Sequence, residues 1–469
     1  MHPRAVAVVG ASANPNGRGG ANFIDCYRHL GFSGRIYPIN PRAKEVKGLP
    51  AYPSVLAVPE PLDFVIVAVP AVRVADVLRD CIAKGVPTVH VFTAGFNETG
   101  EPEGRQLADE VRQIIANDDL LLIGPNCMGF YVPESGIGTW DGASKESGPV
   151  AFISQSGALA SRLTVTMGHF NVRFSKVVSY GNGYNAEAPD FLEYLAEDPA
   201  TGIIAMYLEG IRDGQRLLRS VRDLNRTKPV LLWKGGLTES GTRAVNSHTA
   251  SLAGDEAIWN AFYRQTGATR ADSLDELMDL MQAFLFLKPP RSRRIAVIGG
   301  GGGTSVAVAD ACSRAGLTLP PLTMETQLEL HREVPLAGMS VRNPLDAGLL
   351  VSRDPETIEW GLKTVAEDPS VDAILLHYFN LSGWGNASDP RSGRRVAERL
   401  IHMVKEKMLT VPVAVVIRLP DADSKQQQLR AEFIHEYTAA GIPVFASEQR
   451  AARALAALCA YREYYEKGN

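Results

Sequence analysis

At 469 residues, with 45% apolar and 21% charged side chains, the chain is longer than one hydrophobic core supports, so two to four domains are expected. Its 48 basic side chains against 52 acidic ones leave a net charge of −4, a balance that gives no footprint for nucleic acid or a polybasic membrane contact. No apolar run reaches bilayer width, and the start, MHPRAVAVVGAS, lacks the pattern of a signal peptide, so a cytoplasmic protein without membrane contact is expected.

In chain order, one pattern recurs three times: a short β-branched strand, a glycine-bearing turn, then an amphipathic helical stretch. In the first round AVAVVG (5–10), RIYPIN (35–40), FVIVAVP (64–70), TVHVFTAG (88–95) and LLLIGP (120–125) have strand character. Between them VADVLRDCIAKG and EGRQLADEVRQIIA carry apolar residues at helical spacing. The turn-rich VPESGIGTWDGASKESG (132–148) has linker composition. The second round holds PVAFISQSG (149–157), FSKVVSYGNG (174–183), GIIAMYLEG (202–210) and PVLLWKGG (229–236), then a helical stretch near 273–288. After KPPRSRR, the third opens with RIAVIGGGGGTSVAVADACSRAG and continues with DAILLHYF (372–379), VPVAVVIRL (411–419) and IPVFAS (442–447). Strand–helix alternation of this kind predicts parallel sheets covered by helices, hence α/β architecture in about three doubly wound domains. Cys26, Cys81, Cys127, Cys312 and Cys459 are scattered with no CxxC pair, so neither a disulfide framework nor a metal site is expected.

Ligands of open α/β sheets sit beyond the strands' carboxyl ends, where turns and helix N-termini face an anion. The first such turn, VVGASANPNGRGG, is not GxGxxG, since Gly10 is followed by no glycine until Gly17. The second strand ends in Asn40-Pro41-Arg42, without the acid that would bond a nicotinamide nucleotide's ribose hydroxyls. A cation there suits a ribose phosphate, as in coenzyme A or NADP; a plain turn with a solvated arginine fits the same residues. SQSGALASR (154–162) and SYGNG (179–183) put Ser154, Ser156, Gly157, Gly181 and Asn182 at turns of phosphate-binding character, although serine and glycine are common at any helix start.

His248 stands in AVNSHTASLAGDEAIW (244–259) among small and hydroxyl residues, with no second ligand at metal spacing. It is either a structural loop histidine or a nucleophile whose far ring nitrogen is held by a carboxylate. Glu209, closing the apolar strand GIIAMYLEG, is the candidate carboxylate; a strand-end acid facing water is the other reading.

Taken together in order, VVGASANP, INPR, VIVAVPA, TAGF, GPNCMG (124–129), ISQSGALA, YLEG, KGGLTESG, SHTASLAG and NPLDAG (343–348) resemble the nucleoside-diphosphate-forming acyl-CoA synthetases. The likeness is greatest to the α subunit of ADP-forming acetate–CoA ligase, in the succinyl-CoA synthetase superfamily. It implies a Rossmann-like CoA-binding domain over 1–130, a flavodoxin-like domain bearing a phosphohistidine over 147–288, and a flavodoxin-like ligase-associated domain over 293–469. By the same likeness Gly10, Ser12, Arg42, Val69, Pro70 and Asn126 surround coenzyme A, and His248 is the phosphorylated histidine oriented by Glu209. Ser154, Ser156 and Gly157 match the helix start that receives the phosphate in that family, while Gly181 and Asn182 are phosphate candidates from their turn alone. The implied reaction interconverts acyl-CoA, ADP and phosphate with a carboxylic acid, CoA and ATP, through an acyl phosphate and a phosphohistidine.

Two departures stand out. The loop has HTASLAG where the family more often has HTGSLAG, and the first turn has Gly-Arg-Gly-Gly where lysine or valine is more usual; neither removes a reacting group. The family also needs an ATP-grasp module for ADP or ATP with Mg2+. This sequence leaves no stretch for one, and the pentaglycine 299–303 is followed by no GK[ST]. A separate ATP-grasp β subunit, in an α2β2 assembly, is therefore expected. A catalytically silent CoA- or acyl-CoA-binding regulatory protein on the same scaffold is the alternative, and a nicotinamide oxidoreductase is disfavoured by the first turn.

Overall fold

The computed structural model describes residues 1–12, 20–248, 255–299, 301–334, 339–346, 354–378, 392–418 and 424–467, with 246–248, 378, 392, 425–426 and 467 given as backbone only. The chain divides into two compact units, one of residues 1–168 with 173–272, the other of residues 169–172 with 273–469.

In the first unit β1 (Ala5–Val9), β2 (Arg35–Ile39), β3 (Phe64–Val67), β4 (Thr88–Val91) and β5 (Leu121–Ile123) form a parallel sheet in the order β2-β1-β3-β4-β5. Every residue of β1 and β3 is buried, which is why both are continuous apolar runs instead of alternating ones. Helices α1 (Ala21–Leu30), α2 (Val74–Lys84) and α3 (Pro102–Ala116) make the crossovers. On α2 the buried Val74, Ala75, Leu78 and Cys81 recur at three- and four-residue steps and form the stripe that faces the sheet. Full burial of one such leucine contributes about 1.5–3 kcal/mol, before the entropy of ordering the chain is counted.

The second sheet of this unit contains β6 (Gly129–Tyr131), β7 (Ser147–Ser154), β8 (Phe174–Ser179), β9 (Ile203–Leu208), β10 (Val230–Lys234) and β11 (Thr269–Ala271), in the order β11-β10-β9-β7-β8-β6. All are parallel except β6, which runs antiparallel to β8. Helices α4 (Gly157–Gly168), α5 (Ala188–Glu197), α6 (Gly214–Leu224), α7 (Glu239–His248) and α8 (Glu256–Thr266) accompany it. One core joins the two sheets, with Val8 and Ile66 of the first and Ile153 and Met206 of the second in a single apolar cluster.

In the second unit α9 (Leu274–Phe286) starts with Ser273 Oγ accepting the N–H of Glu276 at 3.1 Å. There follow β12 (Ile295–Gly299), α10 (Gly302–Arg314), α11 (Met324–His331), β13 (Leu345–Asp346), α12 (Pro355–Ala366) and β14 (Ala373–Tyr378). Then come α13 (Ser392–Lys405), β15 (Val413–Ile417), α14 (Ser424–Ala439), β16 (Val444–Phe445) and α15 (Glu448–Lys467). The parallel order is β13-β12-β14-β15-β16. Helix α9, which the sequence attaches to the second round, packs on α15, where Arg450 forks onto Asp279 at 2.5 and 2.9 Å.

Setting β6 aside, each sheet has its second strand outside its first and its third, fourth and fifth on the other side, so the three rounds seen in the sequence are three copies of one doubly wound order. Each has a switch point between its first and third strands, at β1/β3, β7/β9 and β12/β14. The strands β6, β11 and β13, of two or three residues, were not anticipated, because so short a run shows no periodicity. No helix among the described residues is long and apolar enough to cross a membrane.

Candidate functional site

At the β1/β3 switch point Gly10 adopts φ +86°, and a Cβ there would stand 2.2 Å from the carbonyl oxygen of Ala68, so only glycine lets the two strand ends close together. Asn40 shapes the neighbouring turn: its Oδ1 accepts the N–H groups of Arg42 (2.9 Å) and Ala43 (3.0 Å), and its Nδ2 donates to Ala11 O at 2.7 Å. That stitch ties the end of β1 to the end of β2; Arg42 is exposed and Ser12 half-buried. Residues 13–19, which include Gly17, Arg18 and Gly19 of the Gly-Arg-Gly-Gly in the first turn, lie outside the described residues. Val69 is half-buried and Pro70 exposed after β3, with Thr93 Oγ1 donating to Val69 O at 2.7 Å. Asn126, at φ +60°, donates its N–H to Thr93 O at 3.0 Å. Gly10, Val69, Pro70 and Asn126 thus follow the carboxyl ends of β1, β3 and β5, of which β1 and β3 are neighbours in the sheet.

Asn126 also reaches the second sheet. Gly181, at φ +55°, lies so close that a Cβ would stand 2.3 Å from Asn126 O. Asn182 donates its N–H to Pro125 O at 3.0 Å and its Nδ2 to Glu98 Oε2 at 2.7 Å. Glu98 Oε1 in turn accepts the N–H groups of Gly95 (2.7 Å) and Phe96 (3.1 Å). Gly181 and Asn182, read from the sequence as phosphate-facing, therefore also join the GPN turn to the TAGF turn.

At the β7/β9 switch point Ser154 is buried; its Oγ accepts the N–H of Ser156 at 3.1 Å and donates to Ser156 O at 2.8 Å. Ser156 Oγ accepts the N–H of Leu159 at 3.3 Å, and Gly157 is the first residue of α4. These three residues line the start of one helix, where N–H groups and the positive end of its dipole meet. Between them Gln155, which sequence reading passed over, crosses the switch point: its Oε1 accepts the N–H groups of both Glu209 and, at 2.9 Å, Gly210.

Glu209 is buried, only 5% exposed, one residue beyond β9. Its carboxylate Oε1 accepts from Tyr207 Oη at 3.1 Å, and its carbonyl accepts from Lys234 Nζ at 2.9 Å. Lys234, the last residue of β10, also donates to Gly235 O and lies 5.4 Å from the ring centroid of Trp259. Burial pulls the Lys234 ammonium down to about 8, the negative Glu209 acting against it. Burial likewise pushes the Tyr207 hydroxyl up, as does Glu209 beside it, so it stays a neutral donor. The solvated strand-end reading of Glu209 is thereby removed.

His248 is the last residue of α7; its side chain and residues 249–254 lie outside the described residues. The helix itself packs on the single turn Asn97–Thr99 that carries Glu98. Ser156, Tyr207, Glu209, Lys234 and Val245 of α7 line one cavity of about 630 Å³. So the structure brings a helix start, a fixed carboxylate and the helix ending at His248 around one space. Among the described residues no three His, Cys, Asp or Glu side chains cluster as metal ligands.

Residues 4–133 match the CoA binding domain, 147–284 the succinyl-CoA ligase like flavodoxin domain and 295–459 the ligase-CoA domain. The chain is 31% identical over 472 residues to the α subunit of acetate–CoA ligase [ADP-forming] I of Pyrococcus furiosus, covering 100% of this chain and 98% of that one. It is 37% identical over 376 residues to the α subunit of that organism's ligase II, 80% of each chain. Against acetate–CoA ligase [ADP-forming] I of Archaeoglobus fulgidus it is 38% identical over 376 residues, which span 80% of this chain and 54% of that protein. The chain thus corresponds to about half the length of that relative and to nearly the whole of the first α subunit. The solved dinucleotide-forming acetyl-coenzyme A synthetase 1 of Ca. Korarchaeum cryptofilum, in complex with phosphate and ADP, superposes with a TM-score of 0.86 at 31% identity over 99% of this chain and 97% of that one. With three domain matches in order and likeness to α subunits over 80–100% of the chain, the chain belongs to the ADP-forming acyl-CoA synthetases, the family of ADP-forming acetate–CoA ligase.

Proposed function

We propose that the chain is the α subunit of an ADP-forming acid–CoA ligase that works through an acyl phosphate and a phosphohistidine at His248. The observation that carries this reading is Glu209: a buried carboxylate with its main chain clamped from Gln155 and Lys234, on the same cavity as Ser156 and the helix that ends at His248. Burying a carboxylate is costly, and this one is held in a form suited to receive an imidazole N–H and leave the other ring nitrogen's lone pair free.

In the first step a phosphate oxygen attacks the thioester carbonyl carbon, the C–S bond breaks, and CoA leaves as its thiolate. His248 then attacks phosphorus, releasing the carboxylate of the acid. Finally a terminal oxygen of ADP takes the phosphoryl group and frees His248. The N-terminus of α4, with Ser154, Ser156 and Gly157, offers N–H groups to the phosphoryl oxygens, and Gly181 and Asn182 close the side toward coenzyme A. The segment 1–130 holds CoA through Gly10, Ser12, Arg42, Val69, Pro70 and Asn126, the cationic Arg42 suiting the ribose phosphate. Segment 147–288 carries the histidine chemistry, and 293–469 supports it. The α-subunit names of two relatives support a partner, and we assign to it an ATP-grasp fold that binds ADP or ATP with Mg2+ in an α2β2 assembly. A small carboxylic acid and its thioester are the substrates. A silent CoA-binding role has no support, since the α subunit that matches the whole of this chain is named as a ligase subunit.

The test is phosphoryl labelling of the chain with its ATP-grasp partner, γ-labelled ATP and Mg2+, beside His248→Ala. Acid-labile, base-stable label on this chain, lost in the variant and discharged by CoA plus one acid of a panel, is expected. Absence of label from a native pair that still binds CoA overturns the reading.

A further inference from the structure

A carboxylate that steers another residue must itself be held. Glu209 lies outside the β9 ladder, so regular hydrogen bonding does not fix it. Gln155 holds it from β7, and Lys234 holds it from β10, the two strands flanking β9. Lys234 does more than Gln155. A buried lysine is rare unless paired, yet this one is 4% exposed and donates to two carbonyls of different segments: Glu209 O, beyond β9, and Gly235 O, in the turn that leads to α7. That turn is tightly fitted, since a Cβ on Gly235 would stand 2.6 Å from Tyr207 Oη, the same hydroxyl that donates to the Glu209 carboxylate. One ammonium therefore ties the peptide of the candidate orienting carboxylate to the head of the turn, Gly235, from which the chain runs on to α7 at Glu239.

We infer that Lys234 is a positioning residue for the phosphohistidine step, an ammonium strap that sets Glu209 against the helix carrying His248. The inference rests on the phosphohistidine reading above. Charge-assisted bonds are stronger than those of a neutral amine, so the strap is tightest while the amine is protonated, and burial brings its loss of charge down to about 8, within the working range of an enzyme. The titratable groups around it are Tyr207 and Glu209 at the end of β9, Glu256 and Tyr263 on α8, and Arg270 and Asp272 at the end of β11. Arg270 is engaged by Asp272 at 2.5 Å and Glu256 at 3.4 Å, and Glu209 is the group whose charge acts on Lys234.

The experiment follows single-turnover labelling of His248 in the assembled enzyme from pH 6 to 9.5, for native protein, Lys234→Met and Lys234→Arg, with the KM for CoA and the melting temperature of each. The native rate is expected to fall as pH rises through about 8. Lys234→Met is expected to lose about tenfold or more at pH 7, a displacement effect, with that alkaline fall gone and the KM for CoA unchanged within about twofold. Lys234→Arg, charged throughout, is expected to recover much of the rate and carry it past pH 9. A native profile flat through pH 8, or a Lys234→Arg profile that still falls there, overturns the inference while His248 labelling stands. Should Lys234→Met lose rate only in proportion to its folded fraction, the lysine is structural and the inference fails. A native enzyme with no label overturns the phosphohistidine reading itself, and this inference with it.

Discussion

The second and third sheets each bury a glutamate at their carboxyl end, Glu209 after β9 and Glu448 at the start of α15, and the two are held in different ways. Glu209 is gripped by its main chain: both N–H groups of Glu209-Gly210 go to Gln155 and the carbonyl to Lys234, while its carboxylate takes a neutral tyrosine hydroxyl beside the cavity. Glu448 is engaged through its carboxylate, with His377 Nε2 at 2.9 Å and Arg418 Nη1 at 3.5 Å, and its side chain is 1% exposed. Burial draws His377 below its ordinary value in spite of Glu448, so near neutrality the ring is largely uncharged. A carboxylate that acts on a third group has to be fixed through atoms other than its own oxygens. A carboxylate that only closes a core is satisfied by the oxygens themselves, and the cost of burying it is met there.

Glu209→Gln tests this most severely. The amide keeps the volume and every main-chain clamp but removes the charge, so His248 labelling is expected to fall by about two to four orders of magnitude. The melting temperature should stay within about 2 °C of native. Glu448→Leu is expected to do the opposite. It strips the partner from a buried imidazole, which costs about 1–3 kcal/mol and shows as a lower melting transition, with labelling unchanged within about twofold. If Glu448→Leu silenced labelling as Glu209→Gln does, the distinction between the two sites would collapse.

Gln155→Leu comes next in size. Two buried N–H groups lose their acceptor, so labelling should fall about tenfold, through displacement of Glu209 and not loss of its charge. The smallest effects lie in pH. His377 has a folded pKa below its unfolded 6.5, so its contribution to stability is complete above pH 6.5 and is lost as the pH falls below it; His377→Gln should flatten that acid limb in thermal melts. Lys234 carries a consequence of the same sign at higher pH. Its folded value of about 8 lies below the unfolded 10.5, so its linkage raises stability from pH 8 to 10.5 just where the labelling rate is expected to drop. A rate that falls while the melting temperature holds separates loss of the strap from unfolding.

Much of this was legible in one dimension. Fully buried parallel strands are continuous apolar runs, and AVAVV, FVIV and IIAMYL stand out between glycine turns, so the repetition of one α/β pattern was visible before any coordinate. The candidate carboxylate was legible too, because an acid closing an apolar strand must be paired or wet. Gln155, Lys234 and Glu98 were not. Glutamine in ISQSG and lysine in LLWKGG show nothing at sequence range, since Gln155 meets Glu209 across 54 residues and Lys234 meets it across 25.

By itself, then, the sequence determined the longer strands, the strand–helix alternation, the turns that need glycine, and the candidate nucleophile and carboxylate, since these follow from burial period and local backbone freedom. Tertiary structure alone decided which strand ends stand side by side. The doubly wound order puts β9 between β7 and β10, and only that adjacency lets an amide from one neighbour and an ammonium from the other grip the same peptide. Contacts of that kind are fixed by how strands pair, which no residue encodes locally.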